Sequence, residues 1–279
     1  MVAPKIFAIL AGLYIIGYVL YIIYYAVGLY QFNPFVKLKP LTRQEQAFLT
    51  ENFPIYGRLP LELRERCEKR IVWFRSRKKF VFYGKVARRA DVPLLLSGTA
   101  VLMTMGLKNY QMRRSLLRLI VYPSRYYSRI NKRHHFGEYN PRLKTLIFSA
   151  EQLWKGFEVP HDNVNLAVHE FAHALIFEMY KKRTWEARKF RVGLHKIKEL
   201  FLLEGFVDRL ETTQYFREYG MTNLQEFFSV AVEHYVETPE KFYEDFPELY
   251  ALIKGMLKFE FRPLDTNNGK KAAPGGAAF

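Results

Sequence analysis

The stretch Val168-His169-Glu170-Phe171-Ala172-His173-Ala174 constrains this chain more than any other. In a helix of 3.6 residues per turn, positions i and i+4 stand one above the other, so His169 and His173 offer imidazole nitrogens to one ion. Glu170 falls beside that ion. Alanines and large apolar residues surround the motif, which predicts a buried helix from about Asn163 to Tyr180. A zinc ion held by two histidines needs one more protein ligand and keeps a position for water, whose pKa it lowers toward about 7. The chemistry expected is hydrolysis, with Glu170 taking the proton of that water and passing it to a leaving amine.

Two carboxylates compete for the third ligand position. Glu204 opens the pattern Glu204-Gly205-Phe206-Val207-Asp208 and follows His173 by 31 positions, whereas Glu233 follows it by 60. Spacing does not choose between them, because loop length between ligands costs little free energy once the fold is made. Glu226, Val230 and Glu233 share one face of a second expected helix, Leu224 to Tyr235. On that face Glu226 either orients a histidine from outside the metal or turns to solvent. Tyr219, fourteen residues before Glu233, is a candidate hydrogen-bond donor to a developing oxyanion.

Ile6 to Tyr30 is 25 residues without a charge, enough at ~1.5 Å per residue to span a ~30 Å hydrocarbon core. Gly28-Leu29-Tyr30-Gln31-Phe32 offers a poor cleavage site, so the segment is expected to stay as a single transmembrane anchor. Tyr14, Tyr18, Tyr21 and Tyr25 recur at helical spacing along one face. Lys37, Lys39 and Arg43 follow the span, which orients the body toward the cytoplasm. The net charge of +16 then points to anionic lipid, with no specific nucleic acid expected. Two basic clusters are the candidates for headgroup contact: Arg75, Arg77, Lys78 and Lys79, then Lys85, Arg88 and Arg89. With Cys67 as the single cysteine, an intrachain disulfide and a thiolate zinc site are both excluded.

The 279 residues, 49% of them apolar, suffice for one good-sized core. The organisation expected is an anchor and flank over 1–36, a catalytic domain over 37–264 and a disordered tail over 265–279. Within the domain, Pro54 and Pro60 separate short helices, and Leu61 to Phe74 is amphipathic, with Leu63, Cys67, Ile71 and Phe74 along one side. Val92 to Leu107 is too short and too mixed to be a second span and reads as a buried helix. Leu117 to Tyr122 and Leu143 to Phe148 read as strands, with a polar loop from Arg129 to His135 between them. The class is α+β, mostly helical with a small sheet. An extended peptide substrate is expected to pair with the edge of the strand at Leu143 to Phe148.

These features together resemble the MtfA-like zinc peptidases, the Mlc titration factor family. The segments that carry the resemblance are Leu61-Glu62-Leu63-Arg64 leading to Trp73-Phe74, Val121-Tyr122-Pro123-Ser124, Val168 to Leu175, and Thr222-Asn223 through Glu226 to Glu233. The resemblance implies a gluzincin-type metallopeptidase, of aminopeptidase type, in which two histidines and a distant glutamate bind zinc. Carried onto this sequence, the ligands are His169, His173 and Glu233, with Glu204 as the alternative. Family members also engage a repressor of sugar uptake, so a regulatory protein partner is a further expectation. A protein-binding module with a structural zinc is the alternative function. The N-terminal anchor and basic tail set this chain apart from the soluble members.

Overall fold

The computed structural model describes residues 3–26, 38–128, 132–159, 161–217, 220 and 222–262. The chain divides into two units, Met1–Lys39 and Pro40–Phe279. The first holds helix α1, Ala3–Ala26, 24 residues long and therefore about 36 Å from end to end. Its stretch Lys5–Tyr24 is long and apolar enough to cross a membrane, and large side chains such as Leu13 and Ile15 are exposed along it. Tyr14 and Tyr18 stack, with ring centroids 6.5 Å apart. Residues 27–37, where the expected span ends, and the tail beyond 262 lie outside the described residues.

The second unit opens with α2, Arg43–Asn52, α3, Pro54–Arg58, and α4, Leu61–Ser76. Thr42 and Glu45 form a reciprocal capping box at the start of α2, which satisfies two amides that have no partner inside the helix. Pro54 begins α3 and Pro60 sits at the N-cap of α4, where a missing N–H costs nothing. Cys67, Ile71 and Phe74 are buried along α4, as their spacing predicts. Strand β1, Lys79–Phe82, and α5, Val92–Met103, come next. Every residue of α5 except Pro93 is buried within the fold.

Strands β2, Arg118–Tyr122, β3, Tyr126–Ser128, β4, Arg133–His135, β5, Gly137–Asn140, and β6, Thr145–Ser149, then precede α6, Ala150–Glu158. The main sheet has the order β1-β2-β6-β5. β1, β2 and β6 run parallel, with Phe80 opposite Leu119 and Leu119 opposite Leu146, while β5 runs antiparallel to β6. β3 and β4 pair separately.

Three local expectations change. The strand expected at Leu143 to Phe148 is β6, which is flanked by β2 and β5 and has no free edge. Its Leu146 and Phe148 are fully buried, as a central strand requires; the edge beside it belongs to β5. Part of the expected polar loop is β4, paired through Tyr127 and His134. Its Arg-His-His sequence has no apolar alternation to betray a strand. Finally, much of the first basic run is spent inside the fold. Arg75 pairs with Glu45 at 2.5 Å, and buried Lys78 donates to the carbonyls of Gln111 and Leu116 at 2.5 and 2.6 Å. Burial pushes the Lys78 ammonium down to about 7, against the pull of Glu178. Arg88 lies 3.9 Å from the Trp154 ring centroid and Arg89 4.7 Å from that of Phe82.

Helices α7, Leu166–Lys181, α8, Trp185–Leu200, α9, Glu204–Thr213, α10, Leu224–Glu237, α11, Pro239–Asp245, and α12, Pro247–Leu257, complete the unit. α7 packs against β5, β6 and α10. Its Phe171 is fully buried and meets Phe74 and Phe148, each with centroids 6.1 Å away. Such a ring stabilises the fold by roughly 1.5–3 kcal/mol through burial and fixes the rotation of α7. α8 packs on α12, where a Cβ at Gly193 would meet Met256 Cγ at 2.4 Å.

Candidate metal centre

Two capped helices build the site. Asn165 caps α7, its Oδ1 accepting from the Val168 amide at 3.1 Å, and Asn223 caps α10 by accepting from the amides of Gln225 and Glu226. Each cap fixes a first turn, and the two helices pack closely. Across that contact His169 and His173 of α7 face Glu226 in the first turn of α10.

The three side chains converge on one point. His169 Nε2 and His173 Nε2 lie 3.2 Å apart, and Glu226 Oε2 stands 3.1 Å from the first and 3.4 Å from the second. With metal–ligand bonds of ~2.0–2.1 Å, two ligands of a tetrahedral zinc are separated by ~3.3 Å. The triangle therefore matches one face of a zinc tetrahedron, and its donors, two imidazoles and a carboxylate, are a set that zinc takes. Among the described residues, this is the group of three His, Cys or acidic side chains with ligand atoms close enough to share an ion.

The charges of the site agree with that geometry. Burial works against a cation on His169, yet the hydrogen bonds of Glu226 and Glu233 prevail and drive its pKa up to about 10. Burial also opposes ionisation of Glu226, but the two imidazoles hold its carboxyl well below the usual range. The pocket thus favours positive charge between its nitrogens.

Glu233 sits on the other side of the His169 ring. Its Oε1 accepts from Nδ1 at 2.8 Å and from Arg217 Nη2 at 2.6 Å, while its Oε2 accepts from the Asn165 amide at 2.7 Å. Both oxygens are engaged away from the Nε2 triangle. Glu226 thus faces both Nε2 atoms, while Glu233, expected at the metal, meets the His169 ring from its Nδ1 side. Glu204, the alternative, is exposed at the start of α9 and joins no such group. Tyr219 lies outside the described residues.

Glu170 is 6% exposed. Burial pushes its carboxyl up to about 7, with the two histidines pulling the other way and Glu226 and Glu138 adding to the rise. β5 passes directly beside it: a Cβ on Gly137 would stand 2.6 Å from Glu170 Oε1 and 2.5 Å from Leu166 Cδ1. A side chain at that crossing would have to displace Leu166 and Glu170, so glycine lets the edge strand pass close to the carboxylate. Tyr126, buried on β3, carries a hydroxyl with no hydrogen-bond partner among the described residues, and burial followed by the charges of Glu138 and Glu170 raises its pKa.

Sequence reasoning missed Arg217, Asn165 and Gly137. Asn165 alone carried a signal, an N-cap residue just before the apolar run.

A model of the glucose-regulated metallopeptidase M90 family matches residues 31–258. The chain belongs to that family. The MtfA-like resemblance and its metallopeptidase character therefore hold for this M90 protein. His169, His173, Glu226 and Glu170 fall within the matched residues. An uncharacterized protein of Synechocystis sp. (strain ATCC 27184 / PCC 6803 / Kazusa) is 24% identical to this M90 chain over 232 residues, 77% of the chain and 84% of the relative.

Proposed function

We propose that this chain is a membrane-anchored zinc metallopeptidase in which His169, His173 and Glu226 hold the metal and Glu170 moves the proton. The observation that carries the reading is the triangle of Nε2, Nε2 and Oε2 atoms with edges of 3.1 to 3.4 Å. Zinc, when bound, supplies a Lewis acid toward the scissile carbonyl and lowers the pKa of water. The protein's own residues do the rest. Glu233 accepts the Nδ1 proton of His169, which leaves the Nε2 lone pair for ligation. Arg217 offsets the charge that Glu233 carries in its buried position. Glu170 accepts the proton of the attacking water and delivers it to the leaving amine.

The free edge of β5, beside Glu170, supports binding of an extended peptide through main-chain hydrogen bonds. The uncharged length of α1 supports an anchor, and Lys37, Lys39 and Arg43 support a cytoplasmic body. The domain division that goes with this is an anchor over 1–36, a peptidase domain over 37–264 and a tail over 265–279.

Turnover of a peptide library tests the reading, run with free and with acetylated N-termini to separate aminopeptidase from endopeptidase action. Cleavage is expected to stop on chelation and to return with zinc. Glu170→Gln should keep the metal and lose about 10²–10⁴-fold in turnover. Cleavage unaffected by chelator, or retained by Glu170→Gln, would contradict the mechanism; metal binding without hydrolysis would favour a binding module.

A further inference from the structure

We propose that the exposed face of α8 lies against an anionic bilayer surface. At 100° per residue, Trp185, Lys189, Val192 and Lys196 fall within a sector of about 60°. Trp185 is 65% exposed and Val192 48%, and just past the helix Leu202 and Leu203 are 79% and 56% exposed. Phe190, Leu194 and Ile197 face the other way and are buried.

The charge of this region is one-sided. Residues 181–203 hold eight basic side chains and two acidic ones, Glu186 and Glu199, the second paired with His195 at 3.3 Å. Arg188 and Lys189 bracket the indole, at 5.7 and 5.5 Å from its ring centroid, and among the described residues no ion pair engages Arg188, Lys189 or Lys196. This contrasts with Arg75 and Lys78, which the fold consumes. Indole and aliphatic groups interleaved with lysines suit the headgroup boundary, where apolar groups enter and ammonium groups stay with lipid phosphates. A nucleic acid would use the cations and gain nothing from Val192 or Leu202.

The proposal rests on the anchor reading for its strength. Thirteen residues separate Ala26 from Pro40, and a chain of that length reaches at most about 45 Å. An anchor in α1 would make contact with the bilayer intramolecular, so that a weak surface suffices.

The test uses the full zinc-loaded chain in nanodiscs with brominated acyl chains, made of phosphatidylcholine alone or with phosphatidylglycerol. Bromine should quench the tryptophan emission of the wild type beyond that of Trp185→Phe, and more strongly in the anionic discs. Lys189→Glu with Lys196→Glu should abolish the difference, since each lysine lost near an anionic surface is worth roughly fivefold in binding. Val192→Glu should weaken it as well. Quenching of the wild type equal to that of Trp185→Phe would overturn the proposal. So would displacement of the lipid signal by duplex RNA with Val192→Glu behaving as wild type, which would make the face a nucleic-acid surface. Alkaline carbonate extraction reads the anchor by itself. A chain stripped by carbonate but still quenched would defeat the membrane-spanning reading and leave the α8 contact standing, whereas a chain retained by the membrane without quenching would defeat the contact.

Discussion

Glu226 and Glu233 lie on the same face of α10, seven residues apart, and both touch His169, yet they do different things to it. Glu226 meets Nε2, the atom that also approaches His173, whereas Glu233 meets Nδ1 together with an arginine and a backbone amide. One carboxylate leaves a lone pair directed at a shared point; the other has no oxygen to spare. An imidazole between two carboxylates thus assigns them their roles by which nitrogen each one takes.

The largest effect that would break this comparison belongs to Glu226. Glu226→Gln should lower zinc affinity by more than ~100-fold, beyond the range of outer-shell changes, and abolish turnover with it. Equilibrium dialysis against graded zinc checks this. Glu233→Gln should keep one zinc per chain but weaken it ~10–100-fold, because the ring of His169 loses its orienting acceptor. Thermal melts sharpen the contrast. Adding chelator should lower the melting temperature of the wild type most, that of Glu233→Gln less, and that of Glu226→Gln not at all, since only bound metal contributes to stability. The smallest effect is expected from Arg217→Ala. Arg217 is 41% exposed while Glu233 is 1% exposed, so water replaces part of the lost pairing; a stability loss of about 1–2 kcal/mol with zinc stoichiometry unchanged is expected in denaturant melts.

The same pair shows what the sequence can convey. His169, Glu170 and His173 were legible because their relation is local, fixed by the pitch of one helix. The buried α5 and the separation of short helices at Pro54 and Pro60 were legible for the same reason. Glu226 against Glu233 was not, since helical periodicity puts both on one face and only the axial position of α10 along α7 decides which nitrogen each meets. Glu233 was expected as the ligand on the pattern of the helix and the resemblance, and the geometry favours Glu226 for that place. The edge of the sheet depends likewise on long-range pairing, so the apolar run at β6 stood out while the polar, glycine-led β5 did not. α8 went unread although Phe190, Leu194 and Ile197 recur at helical spacing along its buried face.

Zinc titration of the wild type, Glu226→Gln and Glu233→Gln side by side, followed by a chromophoric chelator, tests the account most directly. It predicts one tight zinc per chain for the wild type, one weakened zinc for Glu233→Gln, and no stoichiometric zinc for Glu226→Gln. Full occupancy in Glu226→Gln with loss of the metal in Glu233→Gln would contradict it and return the third ligand position to Glu233.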